Sequence, residues 1–151
     1  MTPTGAMTGD VDRDFLRMMS DHHKGLIAMV HPTIESKKSL SVKSDARTLD
    51  RKQDADLKRM ITMLRSLYKD DYTPKIIPEH QQMVDELKGK SGKDYSRTFL
   101  NEIIKHHQEG IQMIDAYLPQ AKNTQIKAMA QTMKADQTKD IAKFQKELAS
   151  T

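Results

Sequence analysis

The chain has 151 residues, 36% of them hydrophobic and 30% charged, and 25 Lys and Arg against 21 Asp and Glu leave a net charge of +4. This length suits one domain, residues 1–151, with its own core. The absence of Cys removes disulfides, thiolate metal sites and cysteine nucleophiles.

The first helix is predicted from Asp12 to His31, where Pro32 interrupts the pattern. Its apolar face is wide. Phe15, Met19, His22, Leu26 and Met29 form one line, and Leu16, Met19, His23, Ile27 and Val30 another, so either histidine of the pair can point inward. The second helix is predicted from Val42 to Lys69, with a seam of Val42, Ala46, Leu49, Gln53, Leu57, Met60, Leu64 and Leu67 in steps of three and four. Thr73-Pro74 and Ile77-Pro78 then open a linker with a short helix over 79–87, and Gly89-Lys90-Ser91-Gly92 reads as a flexible link. His31 and His80 stand beside prolines at expected element ends and are expected to be solvated. A third long helix is predicted from Ser96 to Leu118, closed by Pro119. A fourth follows from Thr124 to Leu148, with the seam Ile126, Ala130, Met133, Gln137, Ile141, Phe144 and Leu148.

The chain repeats itself. A shift of 84 positions sets Phe15 on Phe99, His22-His23 on His106-His107, Ile27 on Ile111 and Met29 on Met113 without a gap. The same shift aligns Ala46 with Ala130, Gln53 with Gln137, Asp56 with Asp140 and Leu57 with Ile141. The repeat therefore spans 12–69 and 96–148, and each copy is a helical hairpin whose apolar stripe must be covered by the other. The expected architecture is all-α, a four-helix bundle of two repeated hairpins, with Phe15, Met19, Leu49, Leu57, Phe99, Ile103, Met133 and Ile141 in its core.

In an antiparallel hairpin His22 falls about level with Gln53, and His106 with Gln137, so histidines and glutamines share a layer among apolar neighbours. Two readings of such a layer stand side by side. In one it is a non-catalytic structural or interaction module, whose buried polar groups specify how helices pair. In the other, neutral imidazoles bind a metal and the glutamines orient them. Methionine favours the second. Around His22 and His23 the first half offers Met18, Met19 and Met29, and thioether sulfur with imidazole suits Cu(I) or Ag(I). Around His106 and His107 the second half offers Met113, with Glu102 and Glu109 as harder ligands.

Other classes of function find little support. Acids and bases interleave, as in Asp50-Arg51-Lys52-Gln53-Asp54, where nucleic acid needs a basic face. The longest apolar run, Leu26 to Val30, is too short for a membrane span, and Met1 to Gly9 lacks the charged start and apolar stretch of an export signal. No Glu is followed three residues later by His, which removes the usual di-iron carboxylate pattern, and there is no His-Glu-x-x-His and no Gly-rich phosphate loop. The chain is read as no enzyme. Its expected cofactor is at most copper, its partner a metal ion, and a homo-oligomer is left open.

Asp14-Phe15-Leu16, Met18-Met19, His22-His23, Ile27 and Met29, followed by Gln53, Asp56, Leu57 and Met60, resemble the family called domain of unknown function 305. The resemblance implies a ferritin-like helical bundle, commonly in periplasmic or secreted bacterial proteins, some of them linked to copper or silver binding. Carried over by position, its motif residues are Met19, His22, His23 and Met29 in the first half and His106, His107 and Met113 in the second. Ile103 and Glu102 depart from the pattern, which leaves the second half poorer in sulfur.

Overall fold

The computed structural model describes residues 7–38 and 40–151. Residues 1–6, which hold most of the segment read for an export signal and the start of the 1–151 domain, lie outside the described residues, as does residue 39. Five helices follow in chain order: α1 Val11–Glu35, α2 Lys43–Tyr68, α3 Pro78–Leu87, α4 Gly92–Tyr117 and α5 Thr124–Ala149, with one 3-10 turn, Leu118–Gln120, before α5. No strand occurs among the described residues. The fold is all-α, as the periodicity predicts.

Local chemistry explains the ends of these helices. Asp10 caps α1 by accepting the Arg13 N–H at 2.9 Å, and Asn123 caps α5 by accepting the Ile126 N–H at 3.0 Å. Pro78 opens α3, where a missing N–H costs nothing. Lys69 closes α2 in the left-handed region, φ 52°, so that its N–H reaches the Arg65 carbonyl and the Asp70 N–H the Leu64 carbonyl, both at 3.0 Å.

Two boundaries differ from expectation. Helix α1 does not stop at His31 but carries Pro32 inside it and runs to Glu35. Proline removes one N–H, to the carbonyl of half-buried Ala28, while the next turn is held by buried Thr33, whose hydroxyl meets the Tyr95 hydroxyl at 2.6 Å. Helix α4 begins at Gly92, ahead of the expected Ser96, because Tyr95 and Ser96 are buried and keep its first turn in place.

Helices α1 and α2 pack as one hairpin, α4 and α5 as another, and α1 lies directly on α4. Their apolar side chains divide into two clusters. One joins the late residues of α1 (Leu26, Met29, Val30) to the early residues of α2 and α4 and to Phe144. The other joins early α1 (Phe15, Leu16, Met19) to Met60, Leu64, Ile114 and Met133. This alternation is what antiparallel neighbours produce, and the histidines of α1 and α4 fall between the clusters.

Of the expected core, Phe15, Met19, Leu49, Phe99, Ile103 and Met133 are buried. Leu57 and Ile141 are only half-buried, and Leu67 is 43% exposed. For Leu57 and Ile141 the reason is visible between α2 and α5. At this level the two helices meet through charges, Lys52 with Asp140 at 3.3 Å and Lys143 with Asp45 at 3.1 Å, so the seam there is polar.

The linker after α2 is tied along α1. Arg17 and Arg13 hold Asp70 at 2.8 and 3.0 Å, and the Arg17 guanidinium, ahead of Arg13, keeps that carboxyl below its usual range. Further on, the Tyr72 hydroxyl and the Lys75 N–H both donate to Asp21, at 2.8 to 2.9 Å. These bonds steer the chain back over the middle of α1, where α3 lands on both α1 and α4.

Candidate metal centre

Helix α3 carries a four-residue stripe, His80, Met83, Val84 and Leu87, spaced i, i+3, i+4 and i+7 and buried throughout. His80 leads that stripe into the bundle. It meets α1 at Gly25, and a Cβ on Gly25 would sit 2.1 Å from His80 Nδ1. Glycine in mid-helix costs about 1 kcal/mol relative to alanine. Here it makes room for an imidazole.

His80 thereby joins His22 of α1 and His106 of α4. The His22 and His106 rings stack with centroids 3.6 Å apart, and His80 lies 5.2 and 4.6 Å from them. One ring nitrogen from each of the three lies within 4.8 Å of the others, and every ring is at most 1% exposed. Nitrogens bound to one ion at ordinary lengths stand about 3.5 Å apart, so a small inward movement of the rings would bring them to a common ion.

The protons can be placed by partner chemistry. His106 Nε2 lies 2.8 Å from the His22 carbonyl, which can only accept, so the proton is on Nε2 and Nδ1 keeps its lone pair. Neither ring nitrogen of His22 or of His80 makes a hydrogen bond. Burial above all, then the neighbouring histidines, holds the His22 and His106 rings well below their ordinary protonation range. The lone pairs are thus free for a cation at neutral pH.

His23 and His107 turn away from this cluster, their rings 6.5 and 6.4 Å from those of their neighbours. Each Nδ1 donates to a carbonyl four residues back, Met19 or Ile103, at 3.0 Å. Each Nε2 faces a carboxylate, Asp56 at 3.6 Å and Asp140 at 3.3 Å. The inward histidine of each pair is therefore the first. Gln53 and Gln137 are buried, as their seam positions predict, and the Gln137 amide oxygen and the His22 ring crowd one point above Gly110.

The other expected ligands are dispersed. Met29 packs in the apolar cluster with Leu26 and Leu49, and Met19 in the opposite one with Met60. Met18 and Met113 are half-buried and together line a cleft with Ile77, Glu79 and Glu109. Glu102 points to Glu86 of α3; burial first, then that second carboxyl, pushes it up to about 8. The structure groups none of these with the three rings. His31, read as solvated, is exposed and bonded to Asp50 at 3.0 Å. His80, read the same way, is 0% exposed, which corrects that expectation. The stripe that follows Pro78 carries the sign of burial, whereas the proline marks only where the helix begins.

The sequence matches the family profile described as domain of unknown function (DUF305) over residues 12–148, and the chain belongs to that family. No protein of curated function matches it. Among solved structures, it is similar to a DUF305 fragment from Deinococcus radiodurans, with TM-score 0.80, 23% identity, and 93% of this chain and 97% of that one covered. It is also similar to CopM in its Cu(II)-bound form, with TM-score 0.77, 21% identity and coverage of 92% and 96%. CopM in its Cu(I)-bound form gives TM-score 0.77 at 20% identity, with the same coverage. At these identities the likeness is one of fold.

Proposed function

We propose that this DUF305 protein is a non-catalytic metal-binding bundle that takes Cu(I) or Ag(I) at His22, His80 and His106 and serves metal scavenging or homeostasis in the periplasm or outside the cell. The observation that carries this reading is the set of buried ring nitrogens on His22 and His80 that make no hydrogen bond. A buried polar atom without a partner costs about 1–3 kcal/mol, and a shared cation offsets that cost for several atoms at once. Imidazole suits copper, and uncharged ligands suit an ion of charge +1 in a dry site. CopM, whose fold the chain shares, was solved with Cu(II), Cu(I) and Ag.

The alternative is a polar layer that only fixes how the hairpins dock. One bond favours it, His106 Nε2 to the His22 carbonyl, which crosses from α4 to α1. That bond accounts for His106 and leaves both rings of His22 and His80 unexplained.

Anaerobic titration with Cu(I) against a competing chelator tests the assignment. The chain is expected to compete at micromolar affinity or better, and His80→Ala, which leaves both hairpins their own contacts, is expected to weaken binding about tenfold or more. Absence of competition in the wild-type chain overturns the metal reading and leaves the docking layer.

A further inference from the structure

The three rings are sealed, yet an ion that they hold must reach them. Half-buried Glu109, its side chain 29% exposed, reaches one of them: its Oε2 lies 3.5 Å from His80 Nε2. The two groups face each other there without a hydrogen bond. Glu109 lines the cleft between α1, α3 and α4 in which the half-buried Met18 and Met113 stand, contributed by opposite halves of the repeat. Toward the N-terminus the same two methionines line a second groove, beside Met7, which is 58% exposed.

We infer that the α1–α3–α4 cleft is the port of the metal centre: the thioethers of Met18 and Met113 receive a soft monovalent cation from solution, and Glu109 passes it to His80 and so to the buried rings. The inference rests on the metal reading above. Its chemistry is ligand exchange without a change of oxidation state. Neutral thioethers bind Cu(I) or Ag(I) and let it go, while the carboxylate raises the local cation concentration between the cleft and His80. The carboxylates that face the other two histidines of the repeat do not share this arrangement. Asp56 and Asp140 face His23 and His107, which lie outside the three-ring cluster.

The port and a resting site make different kinetic demands. A ligand of the resting ion sets its affinity, whereas a transit ligand sets the rate of loading. Anaerobic stopped-flow transfer of Cu(I) from its coloured bicinchoninate complex to the full chain reads the rate, and the end point of the same transfer reads the affinity. The double variant Met18→Leu, Met113→Leu, which keeps volume and apolarity, is expected to load about tenfold more slowly with affinity unchanged within about threefold. Glu109→Gln is expected to do the same, and Glu109→Asp to restore part of the rate. Wild-type rates in both variants overturn the port, and so does a loss of affinity that matches the loss of rate, which would make the methionines resting ligands. A wild-type chain that removes no Cu(I) from the complex overturns the metal reading itself, and the port with it.

Discussion

The ring of His22 lies flat against that of His106, centroids 3.6 Å apart and planes 27° from parallel, although 84 residues separate them. The internal repeat thus meets itself face to face at its equivalent histidines. A third ring, His80, comes from the segment that the repeat does not include, and it turns a symmetric pair into a three-nitrogen cluster. Two imidazoles in such contact repel if both are charged, which agrees with burial holding both neutral.

Gly25→Ala separates helix propensity from site geometry. Propensity alone would stabilise α1 by about 1 kcal/mol. The added methyl would meet His80 Nδ1 at 2.1 Å and the ring's own Cβ at 2.9 Å, so the ring has nowhere to turn without moving α3. Net destabilisation of about 1–3 kcal/mol is expected in thermal or urea unfolding. Cu(I) affinity is expected to fall with it, to the level of His80→Ala.

That glycine shows where the sequence was legible and where it was not. The repeat, the hairpins and the buried Gln53 and Gln137 follow from apolar residues at helical spacing, which report burial directly. The choice of His22 over His23 does not, because both lie on a wide apolar stripe and only the packing of α1 on α4 decides between them. His80 was missed because a proline neighbour marks an element end but says nothing of which way the next turn faces. Leu57 and Ile141 were over-read because seam spacing cannot show that α2 and α5 meet there through Lys52 and Asp140.

Two of the leucines of α2, Leu64 and Leu57, are expected to differ in consequence. Leu64 is 0% exposed in the cluster around Phe15 and Met60, and Leu64→Ala is expected to cost about 2–5 kcal/mol, the usual range for a buried leucine. Leu57 is half-buried, and Leu57→Ala is expected to cost about half as much. Chemical denaturation of the two variants side by side checks the order; equal losses would place Leu57 in the core after all.

Met19 and Met29 lie in separate apolar clusters, on either side of the histidine layer. Their exchange for Leu keeps volume and apolarity, so stability is expected to change by less than about 1.5 kcal/mol. Cu(I) affinity is expected to stay within about threefold of wild type by the same chelator competition. A sharp loss on replacing either one would show that its sulfur reaches the ion.

Stability of the metal-free chain is expected to depend on pH through two opposed groups of residues. His22 and His106 are held neutral in the fold, well below the ordinary value of 6.5, so the unfolded chain binds protons that the fold refuses. Their contribution is complete above about pH 6.5 and is lost as pH falls below it. Glu102 and Glu147 act with the opposite sign. Burial first, then the neighbouring Glu86 and Asp45, push them from 4.5 up to about 8 and about 7, so the fold keeps protons that the unfolded chain has released. Their contribution is complete below about pH 4.5 and is lost as pH rises through those values. Glu102→Gln mimics the protonated acid without its titration, so its melting temperature is expected to match wild type near pH 5 and to exceed it near pH 8.5. In the double variant Glu102→Gln, Glu147→Gln the melting temperature is expected to rise steadily from about pH 5 to about pH 7, because the histidines then act unopposed. A double variant with a flat profile over that range would mean that His22 and His106 titrate in the fold as they do in the unfolded chain, and that the rings are not held neutral.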